Sequence, residues 1–170
     1  MSTHSASATA YVDAPASRVF PRLTQHDPTK FYPKSGLLPA VVEVRDQTGG
    51  WDAAGQTRTI VLSDGGSILE TLGSAHPPLF SYDLTRFTGL FGILVAKAHS
   101  EWTVADADDG GAGRSTIAWT YSFTSRPGRG FVIAAIVRLA WGPYMRRVLP
   151  AIAASTVDDS ADDSRRTPNR

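Results

Sequence analysis

The sequence has no cysteine among its 170 residues and almost no net charge. Without cysteine there can be no disulfides, thiolate nucleophiles or cysteine-based metal sites, and a reducing compartment is permitted, so we expect a cytoplasmic protein. Seventeen basic and sixteen acidic residues leave a net charge of +1, which gives no electrostatic reason to expect a nucleic-acid partner. A chain of this length is sufficient for one domain with a substantial core.

Long apolar runs are also missing. The most apolar window, residues 131–141, is far too short to span a bilayer, so we expect no transmembrane segment. Residues 1–8 do not have the basic and then apolar regions of a secretory signal, and we expect them to form a disordered lead-in. Residues 155–170 consist largely of Asp, Ser and Arg and predict a disordered polar tail. The predicted domain is therefore 9–154.

Motifs for metal binding and cofactor chemistry are absent from the sequence. The four histidines are scattered and no two have the i, i+4 spacing of a helical metal site, so we expect no metal. There is no P-loop, dinucleotide fingerprint or nucleophile elbow, and we expect no cofactor. The glycine-rich segments 64–66 and 110–113 are typical of hairpin turns, because neither opens a helix after a buried strand.

Turn-forming residues divide the chain into an α+β pattern. A strand over 9–12 leads into a helix that is capped by Asp13 and runs to about Leu23, and a short helical turn follows. The apolar spacing near the C-terminus predicts a long helix over 130–154, interrupted at Gly142-Pro143. Its first half is apolar almost all round, which predicts cover by the sheet together with a loop or a second subunit, as in a homodimer. The predicted helical turn is 29–32, and the other predicted strands are 40–45, 56–63, 67–72, 79–86, 98–104 and 115–124.

Two charged residues, Arg58 and Glu70, stand among the apolar residues of a predicted hairpin. A three-residue loop over 64–66 would place Ser63 opposite Ser67 and put both charges on the face that carries the Ile and Leu residues, as diagonal neighbours. A two-residue Asp-Gly turn would move Glu70 to the other face. We prefer the longer loop because it gathers the apolar side chains together. The two charges then form either a structural ion pair or the polar end of a cavity.

Aromatic residues form a second pattern. Trp119, Tyr121 and Phe123 alternate along one predicted strand and therefore share one face. Such residues ordinarily pack in a core, and together they could also line a pocket for a ligand with fused rings or a fatty chain. The hydroxyls of Tyr82, Tyr121 and Tyr144 and the indole N–H of Trp141 need hydrogen-bond partners when they are buried.

Several short segments follow one another in a particular order along the chain. They are Tyr11-Val12-Asp13-Ala14-Pro15 before the first helix, Gly55 and Arg58 leading to Ser63-Asp64-Gly65, then Glu70, Tyr82 and Thr116-Ile117-Ala118-Trp119-Thr120. In this order and spacing, the chain resembles the START-like, or Bet v 1-like, superfamily (SRPBCC), whose bacterial members include polyketide cyclase/dehydrase and lipid-transport proteins. The resemblance covers about residues 9–154. It implies a helix-grip fold, in which a curved antiparallel sheet wraps around a long C-terminal helix, with two short helices after the first strand. It also implies an apolar cavity for a small hydrophobic ligand, and no catalytic motif is shared by all members.

Two functions of different classes follow from these observations. The first is a binder or carrier of a small hydrophobic molecule, lipid or polyketide-like. The second is a cyclase or dehydratase in the same cavity, in which Arg58, Glu70 and Tyr82 polarise a carbonyl or move a proton. An interaction module with a fully packed interior is a third alternative. The candidate ligand-binding residues are Arg58, Glu70, Tyr82, Trp119, Tyr121, Trp141 and Tyr144.

Overall fold

One antiparallel sheet, with strand order β1-β7-β6-β5-β4-β3-β2, organises the molecule. The computed structural model describes residues 1–107 and 113–158. The strands are β1 (Thr3–Val12), β2 (Val41–Arg45), β3 (Thr57–Leu62), β4 (Ser67–His76), β5 (Leu79–Thr85), β6 (Val95–Asp106) and β7 (Ser115–Ser125). The helices are α1 (Ala16–Thr24), α2 (Pro28–Phe31), α3 (Gly89–Leu94), α4 (Gly130–Ile136) and α5 (Gly142–Ser155), with a π-helical turn over Val137–Trp141 that joins α4 to α5. The predicted α+β helix-grip fold is confirmed.

The first strand is longer than predicted. The expectation of a disordered lead-in over 1–8 is wrong from Thr3 onward, because β1 begins there and pairs with β7 along its whole length. On the outer face, Ser5 and Ser7 are hydrogen-bonded across to β7 through their hydroxyls, at 2.8 and 2.9 Å. On the inner face small alanines allow the C-terminal helix to lie close, with Gly142 directly over Ala6. Alanine is only weakly hydrophobic, so its alternation with Ser and Thr in this segment is a weak signal for a strand.

Helix α1 begins at Ala16 and its N-cap position is Pro15, so the predicted cap at Asp13 is wrong. The backbone N–H of Ala16 instead donates to Asp106 Oδ1 at the end of β6, at 2.8 Å. A carboxylate that is distant in the sequence thus supplies the cap, which local pattern cannot reveal. Helix α2 follows the expected rule, since Asp27 accepts a hydrogen bond from the Thr29 N–H at 3.0 Å.

The β3–β4 hairpin has a three-residue loop, one position earlier than predicted. The loop is 63–65, closed by a hydrogen bond from the Leu62 N–H to the Gly66 carbonyl at 2.8 Å, and Gly65 takes the left-handed conformation at φ 83°. The register pairs Arg58 directly with Glu70, so the prediction that they are diagonal neighbours is wrong. A shift of two residues in register preserves the faces, and both charges lie on the inner face as expected.

The C-terminal helix runs without a break from Gly130 to Ser155. The predicted interruption at Gly142-Pro143 takes the form of the π-helical turn just before it, in which the Gly142 N–H donates to the Val137 carbonyl. Pro143 has no backbone N–H to donate, and in a regular α-helix its ring would clash with the carbonyl four residues earlier. The wider π-helical turn lies just before this position. One side of the helix stays exposed at Phe131 and Leu139, and the expected cover by a second subunit stays a prediction.

The remaining differences lie between elements and at the end of the chain. Helix α3 was not predicted, because six residues are too few to show a helical period. The predicted tail starts at 155, whereas Ser155 ends α5 and Thr156 is buried. Residues 159–170 of that tail, and most of the predicted turn at 110–113, lie outside the described residues. Within residues 1–107 and 113–158, no helix is long and apolar enough to cross a membrane.

Candidate functional site

A cavity of about 80 Å³ lies between the inner face of the sheet and the C-terminal helix. Its wall is mostly aliphatic and aromatic, with a small number of polar groups. The volume holds several water molecules and is below the range of about 300–1,000 Å³ for pockets that enclose drug-sized ligands. A ligand of that size therefore requires side chains to move. The wall includes Ile60, Leu62, Ile68, Leu84, Phe87, Phe91, Phe123 and the polar residues described below.

The polar part of the wall is built around Arg58 and Glu70. Strand alternation directs both side chains inward, and Arg58 Nε donates to Glu70 Oε2 at 2.6 Å. Each residue is only 6% exposed, and the guanidinium carbon lies 4.0 Å from the ring centroid of Trp51. Burial raises the pKa of Glu70, and the charge and hydrogen bond of Arg58 oppose this rise. The pair is thus a buried ion pair that also borders the cavity.

His26, at the joint between α1 and α2, belongs to the same wall. Its Nδ1 lies 2.6 Å from the Leu23 carbonyl, which can only accept, so Nδ1 carries the proton and the neutral ring leaves Nε2 as an acceptor. The Tyr32 hydroxyl lies 3.4 Å from that nitrogen. The pKa of His26 is lowered to about 4, chiefly by burial, and the nearby Arg58 charge acts in the same direction. The sequence indicates no role for this histidine, and its only local signal is its position before the Asp27-Pro28 helix start.

Tyrosine hydroxyls supply the other polar groups. Burial raises the pKa of Tyr82 to about 12 and raises those of Tyr32 and Tyr121 well above the ordinary value, so all three stay protonated at neutral pH. All three rings line the same cavity as Glu70, and the charge of that carboxylate contributes to each of these pKa shifts. Tyr144 differs, because its hydroxyl donates to the Pro33 carbonyl at 2.9 Å and thereby ties α5 to the segment before β2.

Trp141, at the end of the π-helical turn, forms the helical side of the cavity. Its ring centroid lies 4.7 Å from that of Tyr121 and 5.3 Å from that of Phe123. The indole N–H is buried, and no acceptor for it is found within the described residues. A buried donor without a partner costs about 1–3 kcal/mol, so an acceptor brought by a ligand would relieve this cost.

Six of the seven candidate residues line the cavity, and Trp119 does not. Trp119 is fully buried and stacks on Trp102, with ring centroids 4.3 Å apart and planes at 12°. Both indole N–H groups donate to the Ser100 hydroxyl at 3.1 Å. Trp119 packs behind two residues of the cavity wall, with its ring centroid 6.3 Å from those of Tyr121 and Trp141. Core packing, the ordinary role of such residues, therefore applies to Trp119.

Part of the wall comes from segments that the sequence analysis treated as connections. Leu38 and Pro39 precede β2, and Phe87 and Phe91 come from the segment that contains α3. Apolar residues in a connection between strands are a signal that could have indicated this role. Within the described residues, no group of three or more His, Asp or Glu side chains could hold a metal ion.

A curved antiparallel sheet that holds a long C-terminal helix across a lined cavity defines the helix-grip class of folds. A family model described as "Polyketide cyclase / dehydrase and lipid transport" matches residues 3–156, so the chain belongs to that family. The match supports the resemblance found in the sequence and begins, as β1 does, at residue 3. No protein with a curated description is significantly similar in sequence.

Solved structures show the same fold at low sequence identity. The crystal structure of Ara h 8.0201 is 18% identical, with a TM-score of 0.64 over 92% of this chain and 99% of that one. Truncated norcoclaurine synthase from Thalictrum flavum is 16% identical, with a TM-score of 0.66 over 94% of this chain and 96% of that one. A second structure of norcoclaurine synthase, in complex with dopamine and hydroxybenzaldehyde, is 14% identical with a TM-score of 0.63, over 99% of this chain and 90% of that one.

Proposed function

We propose that this protein binds and carries a small hydrophobic molecule, lipid or polyketide-like, in the cavity between the sheet and the C-terminal helix. The observation that carries the proposal is a mostly apolar cavity with a polar group at Arg58–Glu70 and a buried indole N–H at Trp141 that has no acceptor among the described residues. Ligand pockets commonly have this composition, an apolar surface with a few polar groups that fix orientation. The lack of cysteine is compatible with a site of action in the reducing cytoplasm.

The polar groups would orient the ligand. A carbonyl or ether oxygen can accept the Trp141 N–H, while the hydroxyls of Tyr82 and Tyr121 exchange hydrogen bonds with an oxygen at the end near Glu70. The apolar walls would hold the rest of the ligand. Because the cavity is small, binding would displace aromatic side chains, and the half-buried ones in the wall are Tyr32, Phe91 and Trp141.

The test is native mass spectrometry of the protein purified without detergent, followed by thermal unfolding with a panel of fatty acids, sterols and polyphenols. We expect one stoichiometric ligand and a raised Tm. Ile68→Trp, which fills the cavity from its partly exposed side, should abolish both effects in a protein that is still folded. Tyr11→Trp, which introduces the same ring at an exposed position, is the matched control. The absence of any ligand and of any thermal shift would contradict the proposal.

The alternative is a cyclase or dehydratase, and the raised pKa of Glu70 beside Arg58 is the observation in its favour. A carboxyl whose pKa is raised can hold a proton for a substrate oxygen or remove one from carbon. The measurement is turnover of a linear poly-β-ketone substrate by Glu70→Gln and Arg58→Met variants that stay folded. Loss of turnover with retained ligand binding supports an enzyme, and unchanged turnover removes these residues from the chemistry. A homodimer stays a separate prediction, which analytical ultracentrifugation tests.

A further inference from the structure

One end of the sheet carries exposed apolar side chains on two connections and at the start of the C-terminal helix. Four strand pairings place the connections 34–40, 63–66, 86–94 and 126–129 at this same end. The paired residues are Val41 and Leu62, Val61 and Ser67, Leu69 and Thr85, and Val95 and Ser125. We call this end, together with the first helical residues 130–131, the apical surface. Its exposed apolar residues are Leu37, Leu90, Ile93 and Phe131.

Hydrogen bonds join these segments into one continuous surface. The Ser63 N–H donates to the Ala40 carbonyl at 2.9 Å, and the Ser67 N–H donates to the Thr88 hydroxyl at 2.7 Å. Arg126 donates to the Gly92 carbonyl at 2.6 Å through its Nε. The apolar side chains are thus held on anchored backbone, and half or more of each side chain is exposed to water. Exposed apolar residues that are grouped at one end of a fold, rather than scattered singly, indicate an interaction surface.

The charge of this surface has one dominant sign. Residues 34–40, 63–66, 86–94 and 126–131 contain the cations Lys34, Arg86, Arg126 and Arg129 and the single carboxylate Asp64, which gives a net charge of +3. At the opposite end of the sheet carboxylates are in excess among the described residues, with Asp13, Asp46, Asp52 and Asp106 against the cations Arg45 and Arg114. A molecule that is polarised in this way is attracted to a negatively charged plane with its apical surface first.

We propose that the apical surface docks on an anionic lipid bilayer, with Leu37, Leu90, Ile93 and Phe131 entering the interfacial region among the cations. The combination of exposed apolar side chains and surrounding Lys and Arg is what binds proteins to anionic membranes. The cavity wall also reaches this end through Leu38, Pro39, Phe87 and Phe91. An apolar molecule could therefore pass between the bilayer and the cavity without crossing water. The docking itself does not depend on the proposed ligand.

The test is co-sedimentation of the full chain with vesicles of phosphatidylcholine and phosphatidylglycerol in equal parts, and with vesicles of phosphatidylcholine alone. We expect much stronger binding to the anionic vesicles. Lys34→Gln/Arg129→Gln should weaken that binding about fivefold for each removed charge. Leu90→Ser/Ile93→Ser should weaken binding to the anionic vesicles with no change in the charge of the protein.

Matched controls lie at the opposite end of the sheet. Tyr11→Ser removes an exposed aromatic ring there, and Arg45→Gln removes an exposed cation at the end of β2. Neither should change vesicle binding. The proposal would be overturned if the protein bound neither kind of vesicle, or if the control variants weakened binding to the anionic vesicles as much as the apical variants do. Since these measurements use empty vesicles and no added ligand, a negative result would leave ligand binding in the cavity as a separate question.

Discussion

The buried histidine His26 provides a quantitative prediction for the pH dependence of stability. Burial lowers its pKa from 6.5 to about 4, and the Arg58 guanidinium acts in the same direction. The hydrogen bond to the Leu23 carbonyl and the charge of Asp27 act the other way and are outweighed. Because the folded-state pKa lies below the unfolded value, the unfolded chain takes up the proton first as the pH falls. The stability due to neutral His26 is therefore present above pH 6.5 and is lost as the pH falls toward 4.

The size of the effect follows from the two pKa values. The difference between 6.5 and about 4, at 1.36 kcal/mol per pKa unit, gives a loss of about 3 kcal/mol in the free energy of unfolding once the pH is below both values. Most of this loss, about 2 kcal/mol, should already be present near pH 5. Such a loss is a large part of the free energy of unfolding of a typical domain, which is roughly 5–15 kcal/mol.

The assay is urea unfolding followed by tryptophan fluorescence, from neutral pH to about pH 4, for the native protein and for His26→Asn. Asparagine retains a donor for the Leu23 carbonyl but does not titrate. The variant should be less stable at neutral pH because the smaller side chain leaves a void, and the two curves should converge as the pH falls. Glu70, whose raised pKa has the opposite effect on stability, is present in both proteins and cancels in the difference. A difference that does not change with pH would refute the reasoning.

Three other substitutions test particular contacts by the same unfolding measurement. Arg58→Met leaves Glu70 buried without its partner and should lower the free energy of unfolding by about 3–5 kcal/mol. Arg58→Met/Glu70→Met should cost less than the sum of the two single changes, and additive costs would show that the pair does not interact. Gly65→Ala places a side chain in open space at φ 83°, so only backbone strain acts, and we expect a loss of about 1–2 kcal/mol; no loss would contradict the assigned turn. Ser100→Ala removes the acceptor of two buried indole N–H groups and should cost about 2 kcal/mol or more, whereas Ser122→Ala, on the outer face, should be nearly neutral; equal costs would contradict the burial argument.

The sequence was sufficient to predict the fold class and the faces of the strands. The face that a strand residue occupies alternates with every position, so a register error of two residues leaves each residue on the same face. The prediction that Arg58 and Glu70 face inward is therefore correct although the predicted hairpin register is not. The spacing of apolar residues located the C-terminal helix to within one residue at its end. These features are determined by residues close together in the sequence, which is why they could be predicted.

Other features depend on contacts between distant residues. The capping of α1 by Asp106 and the pairing of residues 3–8 with β7 are set by the sheet, and nothing local to either segment indicates them. The same holds for His26, whose place in the cavity wall depends on contacts with residues distant in the sequence, such as Trp102 at 5.9 Å between ring centroids. A polar residue in a short connection therefore carries no local signal of burial.

The direct pairing of Arg58 with Glu70 has a consequence for the proposed ligand. Because the two charges are joined at 2.6 Å, the polar part of the cavity has no net charge before a ligand enters. The three nearby tyrosines are held in their protonated form, and His26 is neutral. An anionic headgroup would meet Glu70 together with Arg58 and would lose its hydration without gaining an unpaired cation. A neutral hydroxyl or carbonyl would exchange hydrogen bonds with the tyrosines and the indole of Trp141 at no such cost, so the electrostatics of the wall favour a neutral ligand over a fatty acid anion.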